Sequence, residues 1–177
     1  MFIVEPIKQQ KARGELKLLY KKTQKSLGFV PPHFELFATI DAKSLMEFIE
    51  YNLHFKNHPN IDESLLPYLR LCIAQKEGRA YCINFNTKIL EETAVDKDIL
   101  IDIYANIEKL PFNEKQRSLF SKVIYAIYNA DAFTHNDLQE LYDVGFSDRD
   151  FYELLNYGTN FMAKSKMIEV YLDSKGV

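Results

Sequence analysis

The sequence predicts an all-α fold, and three observations predict it. Apolar residues recur at helical spacing almost from end to end. Turn residues are scarce: 6 Gly and 6 Pro in 177 residues, against a usual combined share of roughly 12%. Capping pairs punctuate the second half of the chain. Many short strands joined by tight turns do not fit such a composition.

The elements follow in order. Leu16, Leu19, Tyr20, Thr23 and Leu27 share one helical face, and Gly28 is a natural stop. Phe29-Val30-Pro31-Pro32 is not helix interior, because two prolines lock φ and remove donors. A short helical turn through Phe34 and Phe37 follows. Asp41 is an N-cap for a helix with Leu45, Phe48, Ile49 and Leu53, ended by Pro59. The next helix begins near Ser64, with Pro67 harmless in its first turn. Leu65, Leu69, Cys72 and Ile73 form its stripe, and Gly78 breaks it. A further helix starts about Arg79 and runs through Cys82, Ile83, Phe85, Ile89 and Leu90. Another carries Ile99, Leu100, Ile103, Tyr104 and Ile107. Asn113/Gln116, Thr134/Asp137 and Ser147/Asp150 each have capping-box spacing. They open helices through Leu119–Ile127, through Leu138–Tyr142 up to Gly145, and through Phe151–Ile168. Helices 99–107 and 119–128 are apolar on more than one face. That predicts burial on all sides, as a core or central helix or at a subunit interface. The expected organisation is a short arm, residues 1–14, and one helical domain, residues 15–177.

Composition excludes several function classes. Apolar residues are 47% and charged ones 27%, with a net charge of −3, so the basic footprint of a nucleic-acid binder is missing. Two cysteines do not make a disulfide-stapled module or a cysteine-rich zinc fold. No stretch has the ~18 apolar residues of a membrane span. The N-terminus, Met1 to Pro6, is too short and acidic for a signal peptide. The expectation is a cytoplasmic protein with no nucleic-acid or membrane partner.

Chemistry concentrates in Gly78-Arg79-Ala80-Tyr81-Cys82-Ile83-Asn84-Phe85-Asn86. If Gly78 starts a helix, Cys82 sits in its first turns, where free N–H groups and the helix dipole favour a thiolate. Arg79 at i−3 and Asn86 at i+4 share its face, and a guanidinium near a thiol favours ionisation. The alternative is that Cys82 is a small buried apolar residue. Arg79 and Cys82 are thus the candidate catalytic pair, with Tyr81 and Asn86 lining the pocket.

That segment, following an apolar helix that ends at Gly78, resembles the AhpD-like alkylhydroperoxidase/carboxymuconolactone decarboxylase superfamily. Its members carry an apolar helix and then Gly-Cys-x-Tyr-Cys-x-x-x-His. The likeness extends through Gly28–Pro32, the Asp41-to-His58 stretch, Leu66–Ala74, Leu110–Lys115, Thr134–Leu138 and Gly145–Asp150, roughly residues 15–172. It implies an all-helical fold and a homo-oligomer, commonly a trimer or hexamer. In peroxidase members a Cys-x-x-Cys pair reduces a hydroperoxide, while a His four residues after the second Cys and a Glu twelve before the first relay the proton.

This sequence departs from that pattern at three of four positions. The first Cys position is Arg79, the His position is Asn86 and the Glu position falls on Pro67; only Cys82 is retained. Neither Asn nor Pro offers a base, and Arg cannot resolve a sulfenate. Cys72 lies ten residues from Cys82, about 15 Å on a continuous helix, beyond the ~7 Å limit for a disulfide. A two-cysteine peroxidase mechanism does not fit, and a decarboxylase reading suffers from the missing His.

Two readings remain. In one, the protein is a diverged thiol-dependent peroxidase or oxidoreductase in which Cys82 works alone on a small hydroperoxide, resolved by an external thiol. In the other, it is a catalytically inactive AhpD-fold homo-oligomer with a small-molecule-binding or structural role. Neither needs a cofactor. Glu50, His54 and His58 are spaced i, i+4, i+8, as metal ligands can be, but without HExxH or a fourth ligand they read as a polar helix face. No metal is expected.

Overall fold

The computed structural model describes residues 2–93 and 95–173. Among them nine α-helices and no strand form; an isolated antiparallel bridge joins Phe2 to Leu172. The chain divides into two units, residues 57–166 and residues 1–56 together with the segment from 167 onward.

In the unit formed by the chain ends, α1 (Gly14–Leu27), α2 (Pro32–Ile40) and α3 (Ala42–His54) follow one another. Gly28, at φ 77°, ends α1 as expected. After Pro31 the chain makes nine residues of helix, α2, rather than a single turn. Pro32 is its first residue, where a missing N–H costs nothing. Asp41 caps α3, its carboxylate accepting from Lys43 N at 3.1 Å and Ser44 Oγ at 2.6 Å. Helix α3 stops at His54, well before Pro59, and tightens into a 3-10 turn, Phe55–Asn57. The apolar Phe55 ring is buried in that turn, a tertiary gain that ends the helix before proline can. Residues of the N-terminal arm are tied to this unit: Ile7 N donates to Thr39 Oγ1 at 2.7 Å, Lys8 Nζ meets Glu35 Oε2 at 2.8 Å, and buried Tyr20 donates to Ile7 O at 3.1 Å.

The other unit is built on α4 (Leu65–Lys76). Nearly every residue from Leu65 to Ala74 is buried, which is what a helix apolar on all sides requires. After α4 come α5 (Ala80–Glu91), α6 (Lys97–Ile101), α7 (Glu114–Tyr128), α8 (His135–Asp143) and α9 (Asp148–Val170). The unit takes α9 as far as residue 166. Gly78, at φ 66°, supplies the left-handed turn between α4 and α5. Arg79 N closes that turn on Ala74 O at 2.9 Å. Gly158 lets α9 approach closely: a Cβ there would sit 2.7 Å from Ile127 Cδ1 and 3.2 Å from Ile73 Cδ1. The three capping boxes form. Gln116 N donates to Asn113 Oδ1, Thr134 N to Asp137 Oδ2, and Ser147 N to Asp150 Oδ2.

The helix expected over 99–107 is not there. Helix α6 ends at Ile101, Asp102 is extended, and a 3-10 turn covers Ile107–Lys109. Gln75 from α4 takes over the backbone. Its Nε2 donates to Leu100 O at 2.8 Å and Ile101 O at 3.1 Å, and its Oε1 accepts from Ile103 N at 3.0 Å. Nor is that segment buried on all sides, since Ile101 is 76% exposed and Tyr104 49%. Helix α7 buries Leu119, Phe120, Val123, Ile124 and Ala126 but leaves Tyr125 exposed. The helix sheathed by its neighbours is α4.

Candidate functional site

The site is assembled where α4 and α5 meet the middle of α9. Arg79 is the N-cap of α5, and its side chain makes no cap hydrogen bond. Its Nη2 instead lies 3.3 Å from Glu77 Oε2. Cys82 is the third residue of α5, within its first turn as expected, and is 4% exposed. Tyr81, half-buried, stacks on Phe85 with parallel rings 6.4 Å apart.

Asn86 is 1% exposed, and both ends of its amide are engaged. Its Nδ2 donates to Cys82 O at 2.8 Å, and its Oδ1 accepts from Arg70 Nε at 2.7 Å. Arg70 Nη1 in turn donates to Tyr157 Oη at 2.5 Å. Three helices are joined in one polar line: Cys82 and Asn86 on α5, Arg70 on α4, Tyr157 on α9. Both Arg70 and Tyr157 escaped the sequence reading. Arg70 did leave a signal, as the one charged residue between Leu65 and Ala74 in a helix otherwise made for burial. Tyr157 left none, because one more aromatic in a long amphipathic helix looks like core.

The second cysteine does not help the first. Burial pushes the Cys72 thiol up to about 12, so almost none is thiolate at neutral pH. Both cysteines are free thiols. Pro67 is the third residue of α4 and brings no titratable group. The i, i+4, i+8 set of Glu50, His54 and His58 is not on one helix, because α3 ends at His54. His58 is spent locally. Its Nδ1 accepts from Ile61 N at 2.9 Å and Asn60 N at 3.2 Å, and its Nε2 lies 2.7 Å from Glu153 Oε2.

With that geometry in hand, solved structures identify the architecture. A peroxidase-related protein from Silicibacter sp. TM1040 superposes with a TM-score of 0.73 at 16% identity, covering 95% of this chain and 85% of its own. An alkylhydroperoxidase AhpD core protein, peroxidase-related, from Ralstonia eutropha JMP134 superposes with a TM-score of 0.76 at 15% identity, covering 98% and 92%. The chain has the AhpD-core fold. No protein-family profile matches the sequence, and no curated protein sequence does. Among the described residues no helix is long and apolar enough to cross a membrane.

Proposed function

We propose that this chain is a diverged member of the AhpD-like alkylhydroperoxidase/carboxymuconolactone decarboxylase superfamily whose central site binds a small molecule rather than cycling a dithiol. The observation that carries the reading is the hydrogen-bonded line from Tyr157 through Arg70 and Asn86 to the Cys82 carbonyl. It occupies the place where the superfamily pattern has a histidine base. An amide and a guanidinium neither take up nor release a proton near neutral pH. They fix a geometry instead. The protein works as a cytoplasmic homo-oligomer, a trimer or hexamer.

A second reading has one observation in its favour: Cys82 is the third residue of α5, where unpaired N–H groups stabilise a thiolate. In that reading the Cys82 thiolate attacks the O–O bond of a small hydroperoxide. The alcohol leaves and Cys82 becomes a sulfenate. One external thiol converts it to a mixed disulfide with loss of water, and a second restores the thiolate.

One assay separates the two. Consumption of hydrogen peroxide and cumene hydroperoxide is followed with dithiothreitol as reductant, for the wild type and Cys82→Ser. The binding reading expects equal, background rates. Turnover that disappears with Cys82→Ser establishes the single-thiol enzyme and removes the binding-only reading.

A further inference from the structure

We infer that the solvent face of α1 is a docking surface for an anionic lipid bilayer. This goes beyond both readings of the Cys82 site and rests on neither. Charge is distributed unevenly along the chain. Between Lys8 and Lys25 stand seven basic residues and one acidic residue, Glu15, a net +6 in a chain whose total is −3. Lys8 and Lys11 are spent on Glu35 and Glu5. Lys17, Lys21, Lys22 and Lys25 are exposed, and among the described residues none of the four pairs with an acid. At about 100° of helix rotation per residue, these four lysines and Leu18 fall within an arc of about 140°. That arc lies opposite the buried Tyr20 and Thr23. Glu15, the one acidic residue of the helix, falls outside it.

Such a face is costly to a protein on its own. Lys17, Lys21 and Lys25 stand at i, i+4 and i+8, where like charges repel along a helix. Leu18, 62% exposed, has the four lysines around it at i−1, i+3, i+4 and i+7, so an apolar side chain stands in water inside a ring of cations. A negatively charged surface with an apolar interior relieves both costs. The ammonium groups meet lipid phosphates, and Leu18 reaches the boundary between headgroups and acyl chains. Nucleic acid fits less well. The charge sits on lysines, which act as point charges, rather than on the arginine forks that hold phosphates in fixed geometry. The face is the outside of one helix, not a groove that tracks a strand. A contact of this kind lies on the membrane and needs no spanning segment. The expectation of no membrane partner, drawn from the lack of long apolar runs, is revised accordingly.

The test sediments the full-length protein with sucrose-loaded vesicles, either phosphatidylcholine alone or phosphatidylcholine with an equal part of phosphatidylglycerol. Saturable binding is expected to the second kind and not to the first. Raising salt from about 0.1 M to about 1 M shortens the screening length from about 10 Å to about 3 Å and should release the protein. Each lysine near an anionic bilayer changes affinity about fivefold, so Lys21→Gln with Lys25→Gln should weaken binding about 25-fold. Leu18→Gln should weaken it as well, with the salt dependence kept. The control is Lys88→Gln with Lys109→Gln, two exposed lysines of the other unit, expected to bind as the wild type does. Circular dichroism confirms that the variants fold, and the wild type on the two vesicle types at two salt concentrations is decisive without them. Equal binding to both vesicle types, no binding to either, or an equal loss in the two double variants overturns the inference. Tighter binding of polyuridylate than of the anionic vesicles also overturns it, by making the face a nucleic-acid contact. So does a fall in oligomeric mass by light scattering in Lys21→Gln with Lys25→Gln when no vesicle binds, because the face then lies between copies of this chain.

Discussion

Replacing Asn86 by leucine is the most direct test of the polar line at the heart of the site. The side chain is 1% exposed, and leucine is of similar length, so the change removes hydrogen bonds more than volume. Two bonds go. The one from Arg70 Nε, at 2.7 Å, involves a charged donor, and such bonds contribute about 1.5–3 kcal/mol. The one to the Cys82 carbonyl, at 2.8 Å, is neutral and contributes about 1 kcal/mol. Leucine recovers part of this through apolar burial, at about 25 cal/mol per Å². The expected net loss is about 2–3 kcal/mol, or about 5–10 °C in melting temperature for a chain of this length. Thermal and urea unfolding followed by circular dichroism measure it. Asn84→Leu is the control, on the exposed side of the same helix and expected to stay within about 0.5 kcal/mol of wild type. If the two variants lose the same amount, Asn86 is not holding Arg70 and the assembled site does not exist as described.

Other expectations follow from particular residues. Arg79→Cys places a thiol at the N-cap of α5, three residues before Cys82 and within bridging range in helical geometry; oxidation with diamide should form an intrachain disulfide, read as the loss of two free thiols, while Cys72 stays reduced. Gln75→Ala leaves the buried Ile103 N–H without its acceptor and should cost about 2–3 kcal/mol, with amide exchange accelerated at residues 100–103 before anywhere else in the unit. Asp137 should govern part of the acid stability. The hydrogen bond from Lys122, then those from Thr134, hold its carboxyl at about 2, against an ordinary 3.8. A depressed carboxyl contributes stability that is present above its unfolded value and lost as pH falls through the folded one. Lys122→Met should therefore flatten the stability profile between about pH 4 and pH 2, as measured by urea midpoints.

Much of this protein was legible in its residues because it depends on near neighbours in sequence. Asp41, Asn113, Thr134 and Ser147 mark helix starts, since a cap bonds groups two or three residues away. Gly28, Gly78 and Gly145 mark turns, because all three adopt positive φ. Also legible was that Arg79, Pro67 and Asn86 stand where the pattern the sequence resembles has Cys, Glu and His.

Only the tertiary structure decided what depends on distant partners. Gln75 ends a helix 26 residues away by bonding its carbonyls, and no local pattern in Ile99–Ile107 announces that competitor. The choice of α4 as the sheathed helix depends on which neighbours close over it, among them α9 through the bare Gly158 backbone. The site's third member, Tyr157, meets Arg70 from 87 positions along the chain. Helical periodicity records which face of a helix turns inward, not which residue it will find there. Sequence therefore determined where most helices start and stop, and packing determined the polar line from Tyr157 through Arg70 to Asn86.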